Sequence, residues 1–311
     1  MRKRIPVWLA IAAIAVLLSA IILVNRTALF SAGATTTPLD QPAARGHLFD
    51  HIFVVMLENR SFADIIESGQ APYLSGLAQA NGLATQYVPV TRGSLPNYLA
   101  LTGGDTFDHS RTCLPAACGI DAPNLADRLE AAGMTWRAYM ESMPQPCDTS
   151  FAGTYSVSHD PFVYFDDIRT DPRRCSNHVV PLQQMAADLR SPASLANFVW
   201  ITPNLCHDMH DCGVGVGDRW LAQFLPTILK SAAFTEQNSL LVVTWDEGNF
   251  THANQVATIL VAPRHIRPGT RLVARYDDYS LLRTMEVAWG LAPLTSNDTR
   301  AKAMTELFST Y

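Results

Sequence analysis

The chain has 311 residues, of which 48% are hydrophobic and 16% charged, and its formal net charge is −5. This length suffices for one large domain with a substantial core, and the composition excludes a disordered or collagen-like chain. The acidic balance, with no basic stripe beyond residue 4, argues against nucleic acid as a partner. No repeat of solenoid or propeller length is present.

The N-terminal segment is typical of membrane targeting. Basic residues 2–4 precede an uncharged apolar run over residues 5–24, which as a helix would span about 30 Å, the thickness of a bilayer core. We therefore expect residues 1–26 to form a signal-anchor helix with a cytoplasmic N-terminus. Residues 27–46 would be a flexible linker, and residues 47–311 a domain at the extracytoplasmic face of the cell membrane. Cleavage of a signal peptide is the alternative, and the domain would then be secreted.

An even number of cysteines suits an exported domain with disulfides. The simplest pairing joins neighbours in sequence: Cys113–Cys118, Cys147–Cys175 and Cys206–Cys212. A zinc site within residues 206–212, where two histidines lie between two cysteines, remains the alternative.

Apolar runs alternate with helical periodicity along the chain. Runs typical of buried strands occur at residues 51–57, 197–201, 239–245 and 256–261. Stretches with helical spacing occur at residues 72–80, 123–132, 181–189, 218–231 and 278–291. This alternation predicts an α/β domain with a central, mostly parallel sheet. Residues 105–180, rich in Cys, Pro, Asp and aromatic residues, are expected to be an irregular insertion.

Hard oxygen donors follow three of the predicted strands. Glu58 follows the first strand, Asp208 comes shortly after the second, and Asp246-Glu247 follows the third. Ligands of open α/β sheets bind at the carboxyl ends of the strands. Adjacent carboxylates at such an edge need a positive partner, and a divalent cation is the economical one. The alternative is that these residues are ordinary acids of surface loops.

Ser94 lies where a predicted strand, residues 86–90, gives way to a helix that begins near Pro96. Backbone N–H groups and the positive end of the helix dipole surround a serine at this position. Such an environment suits a nucleophile whose product carries a phosphate. The simpler alternative is that Ser94 only caps the helix.

Six short motifs in order carry a resemblance to a known family. They are Glu58-Asn59-Arg60-Ser61-Phe62, Ser94-Leu95-Pro96-Asn97-Tyr98, Tyr139-Met140-Glu141-Ser142, His159-Asp160-Pro161-Phe162, Thr202-Pro203-Asn204 with Asp208-Met209-His210, and Thr244-Trp245-Asp246-Glu247-Gly248. Over residues 48–309 the chain resembles the bacterial phosphoesterase family that includes acid phosphatases and phospholipases C. The resemblance implies the three-layer α/β/α fold of the alkaline-phosphatase-like superfamily.

The resemblance also implies a mechanism, metal-dependent hydrolysis of phosphate esters. Ser94 matches the nucleophile, which would form a phosphoserine, and His159 and His210 match histidines that hold phosphoryl oxygens or protonate the leaving group. The implied ligands of one divalent metal ion, of open identity, are Glu58, Asn59, Asp208, Asp246 and Glu247. The side chains expected to contact substrate are Arg92, Asn97 and Asn204. Where the family often has His-Pro before the nucleophile, this chain has Arg92-Gly93.

The substrate class and two other functions stay open at this point. A phosphate monoester and a phospholipid diester are both compatible with the motifs. One alternative is a membrane-tethered binding protein without activity, although the proposed nucleophile and ligands are all present. Another is a sulfatase-like esterase, although residues 94–98 lack the arginine of the Cys/Ser-x-Pro-x-Arg pattern of sulfatases.

Overall fold

An eight-stranded sheet forms the centre of the fold. The computed structural model of the chain describes residues 47–110, 112–251 and 253–308. The strands follow the order β4-β3-β5-β1-β6-β7-β2-β8 across the sheet. Their bounds are β1 (His51–Leu57), β2 (Gly82–Tyr87), β3 (Trp136–Met140), β4 (Val179–Pro181), β5 (Phe198–Thr202), β6 (Ser239–Trp245), β7 (Val256–Val261) and β8 (Thr270–Leu272).

The sheet is mostly parallel, as predicted. Strand β1 pairs in parallel with β5 and β6, so that Val54 lies opposite both Trp200 and Val242. Only β7 runs against the others, because it pairs antiparallel with β6 and with β2. Every residue of β1, β5 and β6 is buried, which is typical of parallel strands covered on both faces.

Two groups of helices complete the predicted three-layer α/β/α fold. The α-helices are α1 (Pro72–Ala80), α2 (Ser94–Gly103), α3 (Leu125–Ala131), α4 (Asp166–Arg169), α5 (Pro172–His178), α6 (Met185–Asp188), α7 (Val214–Leu229), α8 (Ala232–Thr235), α9 (Asp278–Trp289) and α10 (Ser296–Arg300). Helix α1 packs against α7, whereas α2 packs against α3 and α9. A π-helical turn covers Ala63–Glu67, and 3-10 turns cover Val157–His159, Pro161–Tyr164, Leu182–Gln184 and Thr305–Phe308.

The expectation of an irregular insertion over residues 105–180 is wrong in part. This segment supplies two strands of the sheet, β3 and β4, and three helices, α3 to α5. The sequence pattern did not predict strand β3, because a charged residue interrupts its apolar run. Arg137 lies within the strand and pairs with Asp188 at 2.9 Å.

Two predicted boundaries also shift. The strand expected at residues 86–90 is β2, which ends at Tyr87, and the loop that follows leads to α2. Helix α2 begins at Ser94 itself rather than near Pro96. Proline is well tolerated in the first turn of a helix, where the backbone N–H has no partner inside the helix.

All three predicted disulfides are confirmed. They join Cys113 to Cys118, Cys147 to Cys175 and Cys206 to Cys212. The alternative zinc site within residues 206–212 is therefore wrong, since both cysteines are used in a bond.

No helix among the described residues is long and apolar enough to cross a bilayer. The predicted anchor, residues 1–26, and the predicted linker, residues 27–46, lie outside the described residues.

Candidate active site

The candidate site lies at the carboxyl ends of three neighbouring strands. Strands β5, β1 and β6 are adjacent and parallel, so the segments that follow them meet at one edge of the sheet. Glu58 follows β1, Asp246 follows β6, and the segment with Asp208 and His210 follows β5. The sheet topology thus brings together residues that are far apart in sequence.

Ser94 opens helix α2 directly beside Glu58. Its hydroxyl donates a hydrogen bond to Glu58 Oε2 at 2.9 Å. The preceding residue, Gly93, has a φ of 113°, a conformation that a side chain would strain. The backbone N–H of Gly93 donates to Glu247 Oε2 at 2.9 Å, which fixes the approach to the serine.

Glu58 contacts several other side chains of the site. It is fully buried, and its Oε1 accepts a hydrogen bond of 2.6 Å from the Tyr98 hydroxyl. Burial, together with the negative charges of Asp246 and Asp208, raises the pKa of Glu58 well above its usual value. A positive charge beside these carboxylates would reverse that effect.

Three further oxygen donors of the site are buried without a hydrogen-bond partner: Asn59 Oδ1, Asp208 Oδ2 and Asp246 Oδ2. The Asn59 N–H donates a 3.2 Å hydrogen bond to Asp246 Oδ1. Burial and the charge of Glu247 raise the pKa of Asp246 well above its usual value. Buried, unpaired oxygens next to Glu58 are the donor set that a hard divalent cation prefers.

A different cluster meets a geometric test for metal ligands. Among the residues that the structure describes, the one trio with potential ligand atoms within 4.8 Å of one another is His109, Cys113 and Cys118. The two sulfurs are joined in a disulfide, so this trio is no cation site in the oxidised chain.

His159 lies between two carboxylates. Its Nε2 is 3.5 Å from Glu58 Oε1, and its Nδ1 is 3.4 Å from Asp208 Oδ2. The ring stacks on Tyr98 with a centroid distance of 5.6 Å. Asp208 therefore contacts a histidine through Oδ2, and its predicted role as a metal ligand stays a prediction. In the loop after β5, the backbone N–H of His210 donates to Asp208 Oδ1 at 2.7 Å.

His210 is the more accessible of the two predicted histidines. Its side chain is 39% exposed, and its Nδ1 lies 2.7 Å from Asp211 Oδ1. The ring centroids of His210 and His159 are 5.8 Å apart. The disulfide between Cys206 and Cys212 closes the loop that carries His210.

Two residues predicted to contact substrate make hydrogen bonds within the chain. Asn97 is buried; its side chain bonds to the backbone of Thr91 and to the carbonyl oxygen of Asp246. Asn204 Oδ1 accepts hydrogen bonds from the backbone N–H groups of Cys206 and His207. The Asn97 amide is used on backbone groups, whereas Asn204 Nδ2 donates to Ser142 Oγ at 3.1 Å. The predicted contacts of both asparagines with substrate stay predictions.

Arg92 is an exposed residue of the loop that leads to Ser94. Its Nη1 donates to the carbonyl oxygens of Gly248 and Asn249, each at 3.3 Å. Its predicted contact with substrate stays a prediction.

Comparison with known proteins identifies the family of the chain. The model of the Phosphoesterase family matches residues 66–292. The chain belongs to the Phosphoesterase family. It is thereby a hydrolase of phosphoric esters, which argues against a binding protein without activity.

Named relatives of this phosphoesterase are phosphatases. It is 35% identical over 261 residues to a phosphatidylinositol-3-phosphatase of Mycobacterium tuberculosis, covering 84% of this chain and 83% of that protein. It is 31% identical over 280 residues to a phosphate-repressible acid phosphatase of Penicillium chrysogenum, covering 85% of this chain but only 65% of that protein.

Solved structures of the alkaline-phosphatase superfamily share the fold. A superfamily member from Vibrio parahaemolyticus aligns with a TM-score of 0.54 and 14% identity, covering 88% of this chain and 77% of that chain. A phosphonate monoester hydrolase of Agrobacterium radiobacter aligns with a TM-score of 0.55 and 12% identity, covering 83% and 77%. These likenesses support the fold of the phosphoesterase.

Sequence reasoning assigned no role to Tyr98 and Glu141, although both belong to the quoted motifs. Tyr98 is one helical turn after Ser94, and this spacing places both side chains on the same face of α2. Glu141 follows β3 and accepts hydrogen bonds from the Asn204 N–H and from His207 Nδ1, each at 2.9 Å. The spacing of Tyr98 from Ser94 could have indicated its place in the site. Glu141 could not be placed, because strand β3 was not recognised in the sequence.

Proposed function

We propose that this phosphoesterase is a metal-dependent phosphomonoesterase that acts through a phosphoserine on Ser94. The observation that carries the proposal is the 2.9 Å hydrogen bond from the Ser94 hydroxyl to Glu58, at the centre of buried carboxylates. A helix N-terminus behind the serine favours the negative charge of a phosphoryl group. The names of the relatives, phosphatases throughout, favour a monoester over a phospholipid diester.

Glu58, Asn59 and Asp246 would hold the divalent ion. Their buried oxygens include two without any hydrogen-bond partner. Burial raises the pKa of Glu58 and of Asp246, as expected for carboxyl groups placed together without a cation. When bound, the ion supplies positive charge that stabilises the serine alkoxide and the phosphoryl oxygens. The role of Glu247 as a further ligand stays a prediction, since its Oε2 accepts the Gly93 N–H.

Ser94 and Glu58 carry out the nucleophilic step of the proposed reaction. Ser94 Oγ attacks phosphorus and gives its proton to Glu58 Oε2, the atom that it already contacts. The bond between phosphorus and the alcohol oxygen breaks as the bond to Ser94 forms, and water later hydrolyses the phosphoserine. Catalysis of this kind rests on positioning and charge stabilisation.

We assign protonation of the leaving alcohol to His210. Both ring nitrogens of His159 face carboxylates, those of Glu58 and Asp208, so His159 orders the site. His210 contacts Asp211 through Nδ1 and is partly exposed, which suits a group that exchanges protons with solvent.

We also propose that the domain works outside the cytoplasm. Three disulfides are typical of an oxidising compartment. Fractionation of cells that express the full chain tests this proposal together with the predicted anchor. Full-length protein in the membrane fraction, accessible to external protease, is expected, and a reduced cytoplasmic protein would contradict it.

Hydrolysis assays with defined metal content test the proposed activity. The full-length protein is stripped with chelator and assayed on an aryl phosphate and on a bis-aryl phosphodiester, before and after addition of single divalent metals. We expect metal-restored activity on the monoester and a loss of at least about a thousandfold in Ser94→Ala. Ser194→Ala, an exposed serine before β5, is the matched control and should keep full activity. Diesterase activity alone would replace the monoester proposal, and unchanged activity in Ser94→Ala would refute the nucleophile.

A further inference from the structure

Phe250 has the most exposed large hydrophobic side chain among the described residues, at 77%. It lies four residues after Asp246, on the loop that continues from the two adjacent carboxylates. Exposure of an aromatic ring has a cost in water, and a ring on the loop that follows Asp246 and Glu247 is therefore a candidate contact for a ligand.

The loop that carries Phe250 is fastened on both sides of the ring. The Gly248 N–H donates to Asn254 Oδ1 at 2.9 Å, and Asn254 Nδ2 donates to the Thr91 carbonyl oxygen at 2.7 Å. The Asn249 N–H donates to Ser61 Oγ at 3.1 Å. The position of the ring is thus set by the same segment, around Thr91, that leads to the nucleophile.

Arg92 packs on the ring. Its guanidinium carbon lies 5.5 Å from the ring centroid of Phe250, within the range of a cation–π contact. Arg92 is two residues before Ser94. The pair therefore presents an apolar surface from the ring and a cationic edge from the arginine, on the segments that lead to Ser94 and away from Asp246.

We propose that Phe250, held by Arg92, is a subsite for the alcohol part of the substrate and selects phosphate monoesters of aromatic or extended apolar alcohols. The inference rests on the proposed function and names its substrate class. An aromatic or alkyl group laid on the ring buries apolar surface from both partners. A small polar alcohol gains nothing from the ring and is recognised through its phosphoryl group alone.

Two substrates that differ only in their alcohol test the subsite. Phe250→Ala is assayed with 1-naphthyl phosphate and with glycerol 2-phosphate, and inorganic phosphate serves as a competitive inhibitor that lacks an alcohol. We expect the KM for naphthyl phosphate to rise about tenfold, which corresponds to about 1.4 kcal/mol, with kcat unchanged. The KM for glycerol 2-phosphate and the Ki of phosphate should stay as in wild type.

Two control variants separate the subsite from a general effect. Phe250→Tyr keeps the ring and should match wild type on both substrates. Val273→Ala removes another exposed hydrophobic side chain, 73% exposed, and should change nothing. Equal changes of KM on both substrates, or none on naphthyl phosphate, would overturn the inference while leaving the proposed function intact. A wild-type protein inactive on every ester, with each metal, would refute both.

Discussion

At the scale of single residues, Glu58 connects the parts of the candidate site. It accepts hydrogen bonds from Ser94 and from Tyr98 and lies 3.5 Å from His159. A buried carboxylate of this kind is costly unless each oxygen has a partner. Tyr98 therefore acts on the site through Glu58, and its hydroxyl should matter beyond the packing of its ring.

Removal of the Tyr98 hydroxyl should weaken the site without unfolding the chain. Tyr98→Phe keeps the ring that stacks on His159 but deletes the 2.6 Å bond to Glu58. We expect the metal concentration that gives half-maximal activity to rise about tenfold, the usual effect of losing a group that orients a ligand. The measurement is activity against added metal, with thermal unfolding as the check on folding. An unchanged metal requirement would show that Tyr98 has no such role.

At the scale of elements, the loop between β2 and α2 is held at both ends. Asp278, at the start of α9, accepts the Tyr87 hydroxyl at 3.0 Å and the Val90 N–H at 2.9 Å. Asn97 ties Thr91 from the other side. Helix α9 thus positions the nucleophile from outside the site.

The anchor at Asp278 should make stability depend on pH. Burial raises the pKa of Asp278 to about 7, so the folded chain holds a proton that the unfolded chain releases near pH 4. Stability should therefore fall as pH rises from about 4 to about 7. Asp278→Asn imitates the protonated form, with its amide donating to Tyr87, and should reduce this fall by at most on the order of 4 kcal/mol. Urea unfolding at about pH 5 and about pH 8 measures it, and an equal fall in both proteins would contradict the assignment.

Two disulfides close loops of similar length, but only one of these loops carries residues of the candidate site. Cys206–Cys212 spans six residues and carries Asp208 and His210, whereas Cys113–Cys118 spans five. Replacing either pair by serine should cost about 2 kcal/mol of stability. Only loss of the first pair should also lower kcat, by about tenfold, because it releases His210. Steady-state kinetics of the two double variants measure this difference in kcat, and equal kcat values would contradict this role of the loop.

The elements were more predictable than the side-chain partners. The four apolar runs became strands β1, β5, β6 and β7, because burial on both faces leaves a continuous apolar signature. Asn97 and Asn204 were predicted to contact substrate; in the structure both side chains bond to loop backbone, and Asn204 also bonds to Ser142. Whether an amide faces a ligand or its own loop depends on how the loop closes, and that information is absent from local sequence.

At the scale of the whole molecule, the sheet gathers negative charge at one edge. Strands β1 and β6 deliver Glu58 and Asp246 to the same place, and mutual repulsion there opposes folding unless a cation is bound. An ion that binds only the folded chain stabilises it by mass action.

Metal and the charge at Asp246 should therefore have opposing effects on stability. Without metal, Asp246→Asn removes a buried charge that repels Glu58 and should raise Tm by about 3 °C or more. On addition of metal, wild type should gain more than the variant, because the variant has lost a ligand. Asp121→Asn, on the exposed surface, is the control. Scanning calorimetry with and without metal measures all three, and a variant that gains as much as wild type would exclude Asp246 from the metal site.

Direct detection of the phosphoserine tests the proposed mechanism most closely. The metal-loaded protein is mixed with an aryl phosphate, quenched in acid within the first turnover, digested and analysed by peptide mass spectrometry. We predict that the peptide with Ser94 gains the mass of one phosphoryl group, that the gain is absent in Ser94→Ala, and that it decays as turnover ends. An aryl alcohol burst with no phosphorylated peptide, or a phosphoryl group on another residue, would contradict Ser94 as the nucleophile.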